Sequence, residues 1–151
     1  MIHVKKILYP TDFSSYSTQA YFHAIALAEK HGASLTIVYV YAPDLKGMGV
    51  EPDRQYWRNQ LQQIRPIDPL IPVEHVLLEG DPATQIVRYA DDMGIDLIVM
   101  GTHGRTGKER LLMGSVTELV LRDAKCSVLA VKLPKGASVP SPLAVPAGET
   151  P

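Results

Sequence analysis

Cysteine is nearly missing from this chain: Cys126 is the only one among 151 residues. An intrachain disulfide framework and a cysteine zinc cluster are therefore excluded. An excess of either charge is missing too. Fifteen Lys and Arg stand against sixteen Asp and Glu, and a formal net charge of −1 carries no electrostatic footprint for nucleic acid or an acidic membrane. No apolar run approaches the roughly 18 residues of a membrane span. The opening Met1-Ile-His-Val-Lys-Lys-Ile-Leu8 lacks the long apolar core of a secretory signal. The expected address is cytoplasmic, with no membrane and no nucleic-acid partner. Hydrophobic residues make up 46%, enough for one domain with a sizeable core.

Five short apolar segments alternate with helical patterns. Val4–Tyr9, Leu35–Tyr41, Val73–Leu78, Leu97–Met100 and Ser127–Val131 read as strands. Between the first two, Ala20, Ala24, Leu27 and Ala28 share a helical face, and Gly32 stands where a helix stop belongs. Asp81-Pro82 is a helix start, with Asp as N-cap and Pro in the first turn. Ile86, Val87 and Ala90 then form its buried stripe, and Gly94 ends it. The stretch from Pro43 to Pro72 is proline-rich and predicts a helix only over roughly Asp53 to Ile64. Such alternation implies an α/β fold: a doubly wound parallel sheet of five strands with helices on both faces, Rossmann-like. Residues 1–132 are read as the domain. Residues 133–151, rich in Pro and Ala with little to pack, are expected to form a disordered tail.

The chemistry concentrates after the fourth apolar segment. There Leu97–Met100 runs into a loop holding Gly101, Gly104 and Gly107, and Gly114 is then expected to open a helix that begins Ser115, Val116, Thr117. Glycines let a backbone curl around an oxyanion, and a helix end adds unpaired N–H donors and partial positive charge. A phosphate is the implied ligand. A Walker A loop does not fit, because Thr102 stands where its first glycine belongs and Glu109 where its Ser or Thr belongs. Nor does G-x-G-x-x-G, since Gly101, Gly104 and Gly107 are spaced by threes. What stands here is G-x2-G-x9-G-S, over Gly101, Gly104, Gly114 and Ser115.

That spacing, with Thr102-His-Gly-Arg-Thr-Gly107 and Gly114-Ser-Val-Thr-Glu-Leu-Val-Leu121, resembles the nucleotide-binding branch of the universal stress protein family. Further matches follow in order: Lys6-Ile-Leu-Tyr-Pro-Thr-Asp-Phe-Ser14, Gly80-Asp-Pro-Ala83, Asp96-Leu-Ile-Val-Met-Gly101 and Cys126-Ser-Val-Leu-Ala-Val131. The resemblance implies strand order 3-2-1-4-5, which makes strands 1 and 4 the switch point beside which ligands of such sheets bind. It places the family's adenosine-contacting aspartate on Asp12 and its backbone contact to adenine on Val40. It also places the terminal-phosphate contacts on Gly114, Ser115, Val116 and Thr117. The turn Pro10, Thr11, Asp12 and the loop Met100, Gly101, Thr102, His103, Gly104, Arg105, Thr106, Gly107 complete the expected nucleotide-binding set. The implied ligand is ATP, other adenine nucleotides being possible, with Mg²⁺ bound through the phosphates. The family also forms dimers through its last strand, and the apolar 127–131 segment carries no protective charge or proline at a sheet edge.

Several of these residues admit a plainer reading. Asp12 fits a carboxylate accepting from ribose hydroxyls and equally an N-cap for the first helix, a job open also to Ser14 or Ser15. Ser115 through Glu118 spells a capping box, which alone accounts for the serine. Arg105, Lys108 and Arg110 suit triphosphate charge or a solvated basic loop. His103 is a phosphate donor or a general base, with no carboxylate near it in sequence. The remaining histidines show no metal-ligand spacing. Tyr39, Tyr41 and Trp57 fit the flanks of an adenine ring or, more plainly, strand and helix packing; Cys126 reads as a small core residue and Phe13 as an anchor of the first helix on the sheet. The function that follows is a nucleotide-dependent stress-response module. A slow ATP hydrolase or phosphotransferase lacks a group placed to orient water at the terminal phosphate. A nucleotide-free dimeric adaptor would have no use for the glycine pattern.

Overall fold

The computed structural model describes residues 3–14, 17–42, 52–66, 68–102 and 110–132, with residues 110–114 described by their backbone only. The tail from residue 133 and the loop from His103 to Glu109 lie outside the described residues.

Nine elements alternate along the chain: β1 (Lys6–Pro10), α1 (Thr18–His31), β2 (Ser34–Tyr41), α2 (Arg54–Gln62), β3 (Val73–Glu79), α3 (Pro82–Asp92), β4 (Leu97–Gly101), α4 (Arg110–Asp123) and β5 (Ser127–Val131). The strands form one parallel sheet in the order β3-β2-β1-β4-β5. Both faces are covered, which is why the strand sequences are continuous apolar runs rather than alternating ones. Period-two alternation divides them between two cores. Ile7, Tyr9, Leu35, Ile37 and Val99 pack with Ala20, Ala24 and Ala28 of α1 and with Trp57 and Leu61 of α2. Leu8, Val38, Val40, Ile98 and Met100 pack with Ala83, Ile86 and Ala90 of α3 and Val120 of α4.

The helix boundaries follow local chemistry. Gly32, at φ 65°, ends α1, and the Ala33 N–H then donates to the Ala28 carbonyl at 2.9 Å. Asp53 caps α2 by accepting from the Tyr56 N–H. At α3 the Asp81 carboxylate accepts from both the N–H and the hydroxyl of Thr84, at 3.0 and 2.7 Å, with Pro82 in the first turn.

The fourth helix departs from expectation. It begins at Arg110, so Gly114 lies inside it rather than opening it. Arg110, Leu111, Leu112 and Met113 are all strong helix formers, and together they carry the helix through a glycine that costs about 1 kcal/mol. The Ser115–Glu118 capping box is therefore not at a helix start. Ser115 sits in the second turn.

Replacing Asp81 with Ala is expected to lower the unfolding free energy by about 1 kcal/mol. Ile98→Ala, emptying a fully buried position beneath α3 and α4, should cost about 2–5 kcal/mol. Urea denaturation reads both, and equal losses would contradict this division between cap and core.

Candidate functional site

The sheet is not equally closed along its length. The β1–β2 ladder runs to Pro10↔Val38 and the β4–β5 ladder to Gly101↔Val131. Between β1 and β4 only Ile7↔Leu97 and Leu8↔Ile98 are paired. Past Leu8 and Ile98 the two central strands part, because α1 leaves β1 toward one face and α4 leaves β4 toward the other. The result is a crevice at the carboxyl ends of β1 and β4, where open α/β sheets take their ligands.

One lip is the turn after β1. The Thr11 N–H donates to the Val38 carbonyl at 2.8 Å, holding the chain against β2 for one residue beyond the strand. Buried Thr11 then accepts from the Phe13 N–H through its Oγ1 at 3.0 Å. Asp12, partly exposed, accepts on Oδ1 from the Ser14 N–H at 3.0 Å and from the Ser14 hydroxyl at 2.6 Å. Asp12 thus closes a local turn and does not cap α1, whose N-cap is Ser17. Phe13 between them adopts φ 64°, which costs a residue with a Cβ about 1–2 kcal/mol. Its ring packs against the core that α1 shares with the sheet. It stacks on Trp57 of α2, centroids 5.2 Å apart at 20°, and meets Tyr39 at 5.0 Å. Trp57 and Tyr39 are buried packing residues.

Beneath this turn lies a buried cluster of hydroxyls. The Tyr9 phenol donates to the Ser17 carbonyl at 3.0 Å, with the Ser17 hydroxyl at 3.1 Å and that of Thr11 at 3.5 Å. Burial drives the Tyr9 pKa well above the ordinary phenol value, against the opposing effect of its bonds to Ser17 and Thr11. Tyr21, packed beside it, is pushed up to about 12 by burial.

The floor of the crevice comes from β2. Since the Val38 carbonyl faces β1, the backbone groups of Val40, two residues on, face the same side, and there β1 has already ended. Val40 therefore turns a backbone donor and acceptor toward the crevice while its side chain packs in the α3–α4 core.

The other lip is the end of β4. Met100 is fully buried, and the Thr102 N–H donates to the Val131 carbonyl at 3.1 Å. The buried hydroxyl of Thr117 donates to the Gly101 carbonyl at 2.7 Å, tying α4 to the strand end. Val116 is half-buried in the α3–α4 core and Ser115 is exposed. With α4 starting at Arg110, Ser115 offers a hydroxyl rather than a helix-end amide. His103, Gly104, Arg105, Thr106 and Gly107 lie outside the described residues.

Hollows also lie elsewhere among the described residues. One of about 150 Å³ is bounded by Gly94, Ile95, Lys125 and Cys126, at the opposite end of the sheet. Another, about 370 Å³, lies between α3 and α4 beside Arg88 and Arg122. Among the described residues no group of three or more His, Cys, Asp or Glu is placed to hold a metal ion, and no helix is long and apolar enough to cross a membrane.

The raised tyrosine values carry a sign. Both phenols are held neutral in the fold, so their contribution to stability is complete below pH of about 10. It is lost as pH climbs through the folded values. Melting temperature measured from pH 8 upward should fall steeply above about 10, and Tyr21→Phe should flatten that fall. An unchanged profile in the variant would contradict the burial account.

The model of the universal stress protein family matches residues 3–132. The universal stress protein MJ0531 of Methanocaldococcus jannaschii is 37% identical over 142 residues, covering 87% of this chain and 84% of that one. The solved structure of protein MJ0577 from the same organism superposes with a TM-score of 0.69 at 31% identity, over 89% of this chain and 100% of the other. A universal stress protein solved in complex with cAMP gives a TM-score of 0.66 at 25% identity, over 86% of this chain and 98% of that one. A family match over nearly all the described residues, with a relative 37% identical over most of both chains, shows that this chain belongs to the universal stress protein family.

Proposed function

We propose that this chain is an adenine-nucleotide-binding module that takes ATP in the crevice between β1 and β4 and signals through its bound state. The observation that carries the reading is the parting of β1 and β4 after Leu8 and Ile98, with Asp12 on one lip and the Val40 backbone turned in between. In this reading the Asp12 carboxylate accepts from the ribose hydroxyls and the Val40 backbone pairs with the adenine edge. Pro10 and Thr11 shape the near wall, and Met100, Gly101 and Thr102 the far one. The loop His103, Gly104, Arg105, Thr106, Gly107 takes the phosphates, Mg²⁺ enters with them, and Ser115 offers its hydroxyl to the terminal groups, with Gly114, Val116 and Thr117 setting its place in α4. The related structure holding cAMP supports a nucleotide of this class.

The same reading makes the protein a cytoplasmic homodimer. β5 is an edge strand whose Leu129 is exposed, and no Lys, Glu or Pro within 127–131 guards it.

Calorimetric titration of nucleotide-stripped protein with ATP and Mg²⁺ tests the proposal. Saturable binding is expected, weakened about tenfold or more by Asp12→Ala and lost in the double variant Gly104→Val, Gly114→Val. No heat, and no displacement by any adenine nucleotide, would sink the site assignment.

A further inference from the structure

We infer that Phe13 is a positioning residue for the nucleoside end of the site: it holds the Asp12 carboxylate in place through its ring contacts with α2. The inference rests on the nucleotide reading above and assigns that site a dependence on a helix outside it. Among the described residues Phe13 is the one non-glycine with a left-handed backbone, φ 64°. Glycine makes such a turn without strain, so a phenylalanine there implies that the ring contributes something the turn alone does not need.

The ring's contacts say what. It lies nearly parallel to Trp57 at 5.2 Å and tilts against Tyr39 at 5.0 Å, and those two rings are themselves 4.7 Å apart. Trp57 is in turn held by α2. That helix is capped by Asp53, anchored by buried Leu61, and forked to β3 through Arg54 Nε and Nη2, each 2.8 Å from a Glu79 carboxylate oxygen. The three-ring stack therefore fixes Phe13 from a direction independent of the turn.

On the other side of Phe13, Ser14 donates twice to Asp12 Oδ1, through its amide and through its hydroxyl. The positive φ of Phe13 sets where that amide sits in this turn. A change of that φ moves Ser14 relative to Asp12 and weakens its hold on the carboxylate. The stack thus works through the backbone: α2 holds Phe13, Phe13 holds Ser14 against Asp12, and Asp12 meets the ribose. By reciprocity, a ligand on Asp12 tightens the seat of α2.

A double-mutant cycle on the full chain, with ATP and Mg²⁺ as the titrant, tests this. Phe13→Gly removes the ring and leaves a residue that takes either sign of φ, so the turn is no longer held in one arrangement and binding should weaken severalfold. Phe13→Tyr keeps the ring and should bind as the unaltered chain does. In an Asp12→Ala background Phe13→Gly should add nothing, because the group it positions is gone. Phe13→Leu fills the space without a flat ring. It should behave like Phe13→Gly and stands in should that variant not fold. A folded Phe13→Gly or Phe13→Leu with unchanged affinity, or a loss fully additive with Asp12→Ala, would overturn the inference while leaving nucleotide binding intact. An unaltered chain that binds no adenine nucleotide removes the underlying reading first, and this one with it.

Discussion

The ligand end of this molecule depends on how short the pairing between β1 and β4 is. These are the central strands of the sheet, yet they share only Ile7↔Leu97 and Leu8↔Ile98 before parting. Pro10 has no N–H to extend a ladder, and the helices that follow the two strands pack on opposite faces. Backbone groups that would have been satisfied across the sheet must find other partners. The Thr11 amide continues the β1–β2 ladder to the Val38 carbonyl, and the Gly101 carbonyl takes the Thr117 hydroxyl. What remains open is a crevice bordered, among the described residues, by backbone polar groups and by the Asp12 carboxylate. Such a lining suits a polar planar ligand with an adjoining diol.

The opposite end of the sheet shows what closure looks like. There the Asp96 carboxylate accepts the backbone N–H groups of Lys5 and Lys6 at 2.9 and 3.0 Å, and its own N–H donates to the Lys6 carbonyl. The Lys6 ammonium adds a bond to the Met93 carbonyl. β1 and β4 are stitched where they enter the sheet and released where they leave it. Asp12 and Asp96 flank the same pair of strands, Asp96 tied to β1 at the entering end and Asp12 bonded to Ser14 in the turn at the leaving end.

Much of this was legible in the chain. The five strands are short Val- and Ile-rich runs because both faces are buried, and Asp81-Pro82 and Gly32 announced helix ends through chemistry confined to a few residues. α2, Arg54–Gln62, lies within the stretch from Asp53 to Ile64 expected to be helical, despite its proline-rich surroundings. The start of α4 was misread because Gly114-Ser115 has the local look of a helix opening. Four strong helix formers ahead of it outweigh that signal. The partner of Phe13 was not legible at all. Nothing near Phe13 in sequence points to Trp57, which reaches its ring only because α2 folds back over β2 and β3 on the α1 side of the sheet. Val40 is intermediate: the resemblance singled it out, and the direction of its backbone groups emerged only from the Thr11–Val38 bond.

The most direct test of the central claim, that the parted end of β1 and β4 is where a nucleotide sits, is backbone amide chemical-shift mapping with ATP and Mg²⁺. The account predicts that the largest shifts fall on Thr11, Asp12, Phe13, Val40, Gly101 and Thr102, with the amides around Gly94, Ile95 and Cys126 at the stitched end unmoved. Shifts concentrated at that stitched end, or along the groove between α3 and α4, would contradict it.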